Sequence, residues 1–216
     1  MKYSQVIPNS RSKTVKVVAI IGAVLLPSVV AYAGYLAYTR FERKKYIKKI
    51  RSVLYLGDSQ TVPDESYADL VAKNMGWSYA KHAKVGAKTG FILQKYRDDV
   101  TPYDAIVVMI GGNDVWATGS ADIAIQNLKA IKTLANQRND SLILISPPSK
   151  NFYSQDQNKL KEYSKIGKWM KSNADLFIDG TSITNQANLF GADNLHLNRD
   201  GQRTLAYYFT EALRSL

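Results

Sequence analysis

From Ser52 to Leu213 the chain alternates short apolar runs with longer stretches of helical period, and few folds accommodate that rhythm. Val53–Leu56, Tyr79–Lys84, Ala105–Ile110, Leu142–Ile145 and Leu176–Ile178 have the length and β-branched or aliphatic character of strands, the second more weakly than the rest. Between and after them, Ser66–Asn74, Phe91–Arg97, Ala121–Gln137, Gln157–Lys171 and Arg199–Leu213 repeat their apolar residues every three to four positions, as Ile125, Leu128, Ile131, Leu134 and Ala135 do along one helical face. Strand followed by helix, about five times over, predicts an α/β domain in which helices cover both faces of a five-stranded parallel sheet.

Before this domain stands a segment of different chemistry. Val17 to Tyr38 is an uncharged run of 22 residues, enough at about 1.5 Å per residue to cross a hydrocarbon core of about 30 Å. Pro27 is tolerated in such a helix, and Tyr32, Tyr35, Tyr38 and Phe41 gather where an aromatic belt would lie. The expected organisation is a polar tail (1–14), a single transmembrane helix (15–39), a polybasic linker (40–51) suited to anionic lipid headgroups, and the globular domain (52–216). Ala31-Tyr32-Ala33 also fits a small-x-small signal-peptide cleavage pattern, but the apolar run continues beyond it, which favours an uncleaved anchor.

The net charge of +11 raises the question of a nucleic-acid partner. Residues 1–51 hold eleven of the Lys and Arg residues against the single acid Glu42, and so account for +10 of that total. A globular part at +1 offers no basic stripe for a phosphate backbone, and no nucleic-acid partner is expected. Absence of cysteine excludes disulfides and thiolate metal sites, and two histidines without HExxH spacing make a histidine-rich metal centre unexpected.

In an open parallel sheet the ligand site lies beyond the carboxyl ends of the strands. There the sequence has Gly57-Asp58-Ser59 after the first strand, Gly86 after the second, Gly111-Gly112-Asn113-Asp114 after the third, and Asp193-Asn194-Leu195-His196 before the final helix. A serine hydroxyl needs a base to become a nucleophile, and histidine titrates in the right range for that work. His196 is one of two candidates, and Asp193 lies three residues before it, within reach of its second ring nitrogen. Backbone N–H groups and the Asn113 amide suit an oxyanion. Asp58 and Asp114 read as turn or cap residues, and His82 as a surface or satisfied core residue.

These four stretches, in order and across residues 53–215, resemble the consensus blocks of the SGNH (GDSL-type) hydrolases. The resemblance implies a three-layer, flavodoxin-like α/β sandwich and an esterase without metal or organic cofactor. It implies Ser59 as nucleophile, Asp193 and His196 as the rest of the triad, and Ser59, Gly86 and Asn113 as the oxyanion hole, with Gly86 preferred to Gly90 because it lies nearer the strand end. Gln60 stands where leucine is often found in that family, a departure expected to leave the nucleophile unaffected. The expected substrate is an acyl ester, either an acetyl group on envelope carbohydrate or a lipid ester reached from the bilayer. The segment Ser146-Pro147-Pro148-Ser149, with the loop through Tyr153, is expected to form one wall of the cleft. A membrane-tethered binding protein that has lost activity is the reading from a different class. An envelope esterase would carry its domain on the extracytoplasmic face, whereas four basic residues before the apolar run against seven after it argue for the opposite orientation.

Overall fold

The computed structural model describes residues 50–148 and 156–216. Five strands, β1 (Ser52–Gly57), β2 (Ser78–Ala83), β3 (Ala105–Met109), β4 (Ser141–Ile145) and β5 (Leu176–Ile178), form one sheet in the order β2-β1-β3-β4-β5. Every pairing is parallel, with Val53 opposite both Tyr79 and Ala105. This is the flavodoxin-like sheet expected from the sequence. The weaker apolar pattern of Tyr79–Lys84 has a plain cause: β2 is an edge strand with exposed or half-exposed side chains throughout, so its residues need not all be apolar.

Alternating strand residues feed two separate cores, as the two-residue period of a strand requires. Val53, Tyr55, Val107, Met109 and Ile143 pack on one face against α1 (Tyr67–Met75) and the final helix, α7 (Arg199–Arg214). Leu54, Leu56, Ile106, Val108 and Leu144 pack on the other against α2 (Thr89–Asp98), α4 (Asp122–Arg138) and α5 (Gln157–Asn173). Two short helices, α3 (Gly112–Thr118) and α6 (Gly180–Ile183), and a 3-10 turn at Ala187–Leu189 complete the elements among the described residues. The sequence pattern did not announce them, because three to seven residues make too few turns to display a period. Asn198 caps α7 by accepting from the Gly201 N–H at 3.0 Å, and this fixes the direction in which the chain leaves the His196 loop.

Ile50, placed in the linker by its basic neighbours, is 2% exposed and belongs to the core under α1 and α7. The Arg51 N–H donates to Asp104 Oδ2 at 2.7 Å. The expected tail, transmembrane helix and remainder of the polybasic linker lie outside the described residues. Among the described residues, no helix is long and apolar enough to cross a membrane.

Candidate active site

Strand β1 is buried along Val53–Gly57 and delivers Asp58 and Ser59 to the carboxyl rim of the sheet. There the chain turns sharply, with the Thr61 N–H bonded to Asp58 O at 2.9 Å and the Gln60 N–H to Asp58 Oδ1 at 3.1 Å. The turn brings Thr61 so close to Gly57 that a Cβ at 57 would stand 2.0 Å from Thr61 Oγ1. Glycine is therefore a steric requirement of the bend that presents Ser59.

Across the rim, the Gly191–Leu197 segment closes on itself through a Gly191 N–H bond to His196 O at 2.8 Å. Asp193 Oδ1 accepts from the N–H groups of Leu195 and His196, each at 3.0 Å. Its other oxygen, Oδ2, lies 2.6 Å from His196 Nδ1. These hydrogen bonds, first from His196 and then from Leu195, hold the Asp193 carboxyl down at about 2. A carboxylate at Nδ1 fixes the ring proton there and leaves Nε2 as an acceptor, and Ser59 Oγ lies 2.8 Å from that nitrogen. Residues 137 positions apart in the chain thus form one continuous Ser–His–Asp line. Ser59 and His196 are half-exposed and Asp193 is exposed, so the line opens to solvent.

Asn113 occupies the first turn of α3, where its side-chain Nδ2 donates to Ala87 O at 2.9 Å and lies 3.4 Å from Asp58 Oδ2. It therefore joins the β3 end to the turn after β2 and to the residue beside Ser59. Gly86, in that turn, has φ of +71° with open space where a Cβ would stand, so its backbone conformation rather than crowding favours glycine. Gly90 falls inside α2. Asp114, read as a cap, accepts from the Thr89 N–H at 3.0 Å and from Thr89 Oγ1 at 2.7 Å, tying α3 to the start of α2. His82 pairs with Asp99 at 2.8 Å on the edge strand and is not part of the Ser59–His196–Asp193 line.

Asp58 is 5% exposed, and its burial pushes the carboxyl up to about 6 against the opposing pull of the Gln60 N–H. Ser146 and Pro147, expected in a wall of the Ser59 cleft, line a cleft of about 240 Å³ with Tyr163, Lys168, Phe177 and Thr181, and its lining includes none of Ser59, Asn113 and His196. Ser149 and Tyr153, expected in the same wall, lie outside the described residues.

Three residues near the site were not singled out from sequence for what they do there. Gln60, expected to be neutral, is buried and directs its side chain onto the backbone of the His196 loop. Gln202 interrupts the apolar stripe of α7 formed with Leu205, Ala206 and Phe209, and a long polar side chain in such a stripe is the signal that would have found it. Trp116 lies three residues after Asn113 on α3 and therefore on its face of the helix. It is 55% exposed, with Lys159 Nζ 4.2 Å from the ring centroid.

No curated protein matches the chain significantly by sequence. Among solved structures it is similar to LAE5, an alpha/beta hydrolase enzyme from the metagenome of Lake Arreo, Spain, at 17% identity, TM-score 0.63, covering 77% of this chain and 95% of that one. It is also similar to a variant of Axe2, an acetyl-xylooligosaccharide esterase from Geobacillus stearothermophilus, at 19% identity and TM-score 0.61, covering 76% and 94%. A lipase/acylhydrolase from Enterococcus faecalis matches at 21% identity and TM-score 0.60, covering 77% and 96%. At these identities the likeness concerns the fold. The family model of the GDSL-like lipases and acylhydrolases matches residues 55–204, from within β1 to within α7, and on that span the chain belongs to the GDSL-like lipase/acylhydrolase family.

Proposed function

We propose that this serine esterase removes short acyl groups, acetyl foremost, from carbohydrate esters through an acyl-enzyme, with Ser59, His196 and Asp193 as its triad. The observation that carries the reading is the hydrogen-bonded line from Asp193 Oδ2 through His196 to Ser59 Oγ, at 2.6 and 2.8 Å. Ser59 Oγ attacks the ester carbonyl as its proton passes to His196 Nε2, and Asp193 holds the resulting imidazolium at Nδ1. The carbonyl oxygen becomes an oxyanion facing the Ser59 and Gly86 N–H groups and the Asn113 amide. When the tetrahedral species collapses, the C–O bond breaks and His196 returns the proton to the departing alcohol, leaving the acyl group on Ser59. Water, deprotonated by His196, then releases the acid by the same path in reverse.

Two observations support carbohydrate as the carrier. The half-exposed Ser59 and His196 are reachable by an ester on a bulky molecule. Trp116 offers an exposed aromatic ring one helical turn from Asn113, suited to stacking against a sugar. The acetyl-xylooligosaccharide esterase among the structural neighbours is consistent with this choice. We further propose that Val17–Tyr38 anchors the enzyme and that the domain faces the extracytoplasmic side, where envelope polysaccharide would be met. Support for the anchor is the uncharged run and its basic flank.

The test is hydrolysis of a short-chain ester by the full-length chain and by Ser59→Ala, with circular dichroism to verify folding. Turnover should all but vanish in a variant that remains folded. Substantial turnover by Ser59→Ala would mean another nucleophile, and no turnover by the wild-type chain on any acyl ester would favour a binding protein.

A further inference from the structure

We propose that Gln60 is a positioning residue for His196: its side-chain amide pairs with the backbone on both sides of the histidine and fixes the loop to the turn that carries Ser59. The proposal rests on the reading of His196 as the base.

Gln60 Nε2 donates to Leu195 O at 2.8 Å, and Gln60 Oε1 accepts from the Leu197 N–H at 3.1 Å. The nitrogen faces a carbonyl and the oxygen an N–H, so the amide has one satisfactory orientation. One group that donates to residue i−1 and accepts from residue i+1 reproduces the pairing of a parallel strand around residue i. Here i is His196. The side chain thus acts as one residue of an extra strand laid beside the catalytic loop.

The clamp is itself held. Gln60 is 3% exposed. Its N–H donates to Asp58 Oδ1 at 3.1 Å, and its carbonyl accepts from Gln202 Nε2 at 3.0 Å. Gln202 Oε1 in turn accepts from the Tyr67 N–H at 2.8 Å, at the start of α1. Nucleophile turn, histidine loop, α1 and α7 are therefore stitched together by two buried amides. Among the described residues, the remaining polar contacts of the loop, from Asp193 and Gly191, shape it internally and do not locate it against Ser59. The direct Ser59–His196 bond is remade during every turnover, so a separate, permanent tie is what keeps Nε2 within reach of Oγ between steps.

Gln60→Met keeps the volume and removes both loop contacts. In the full-length chain, with a small soluble ester, kcat should fall roughly 10- to 100-fold while KM changes less than about twofold, as expected for a small misplacement of a reacting group. The same substitution should lower the residual rate of His196→Ala by less than about twofold, because the group it positions is gone. A kcat unchanged in Gln60→Met, or an equal loss in both backgrounds, overturns the proposal. His196→Ala alone reports on the underlying reading: if it retains wild-type turnover, that reading fails and takes the Gln60 role with it.

Should Gln60→Met not fold, Gln60→Glu serves. A protonated glutamic acid can donate to Leu195 O and accept from the Leu197 N–H, whereas the carboxylate can only accept. Its activity relative to wild type should therefore be greatest at acidic pH and decline as pH rises through the buried carboxyl's titration. A ratio that stays constant with pH overturns the proposal.

Discussion

Replacing Asp58 with asparagine should stabilise the fold at alkaline pH and lose that advantage in acid. Asp58 is buried beside Ser59, and its carboxyl titrates at about 6 instead of the ordinary 3.8. A difference of about 2 units corresponds to about 3 kcal/mol between the two protonation states. Because the folded-state value lies above the unfolded one, the native chain holds this proton more tightly than the unfolded chain does. The associated stability is complete below about pH 4 and is lost as pH rises through 6. The asparagine of Asp58→Asn would carry no charge at any pH and could still accept from the Gln60 N–H through its amide oxygen, although its nitrogen would then face the Asn113 amide. That mismatch has the same cost at every pH. The change in Asp58→Asn stability relative to wild type between pH 4 and pH 8 therefore isolates the charge, at about 3 kcal/mol in favour of asparagine at pH 8. Urea unfolding of both full-length chains in the same detergent, followed by tryptophan fluorescence at pH 4, 6 and 8, measures it. Differences that stay within about 1 kcal/mol across that range would refute the claim that the native state buries a carboxylate here.

Other outcomes follow from the site and the domain boundary. Asn113→Ala should slow turnover roughly 10²- to 10³-fold through loss of an oxyanion donor, and steady-state kinetics giving a change below about threefold would remove it from that role. Trp116→Ala should raise KM for acetylated oligosaccharides several-fold while leaving a small soluble ester unaffected, by about the 1 kcal/mol that an aromatic contact contributes; equal effects on both esters would argue against a sugar subsite. A chain lacking residues 1–47, which retains the buried Ile50, should turn over the small ester at the full-length rate but no longer co-sediment with anionic vesicles. Loss of activity in a folded truncated chain would show that the N-terminal segment helps build the site.

What the sequence determined on its own is local in range. Strand and helix can be read from periods of two and 3.6 residues, and Asp193 with His196 from a spacing of three that lets one turn bring the carboxylate to the ring. The edge position of β2 was half legible, in a strand pattern weakened where burial is incomplete. The flavodoxin-like sheet order and the proposed oxyanion residues came from resemblance of whole motifs and not from periodicity. Tertiary structure alone decided which further polar residues support these. Gln60 reaches Leu195 and Leu197 across 135 and 137 positions, and Gln202 reaches Gln60 across 142, separations over which no sequence period survives. Likewise α3 is too short to announce itself, and Ile50 among basic neighbours reads as linker until α1 and α7 close over it. A side chain's identity limits what it can bond to, but the partner is chosen by the topology that carries two distant backbones within about 3 Å of it.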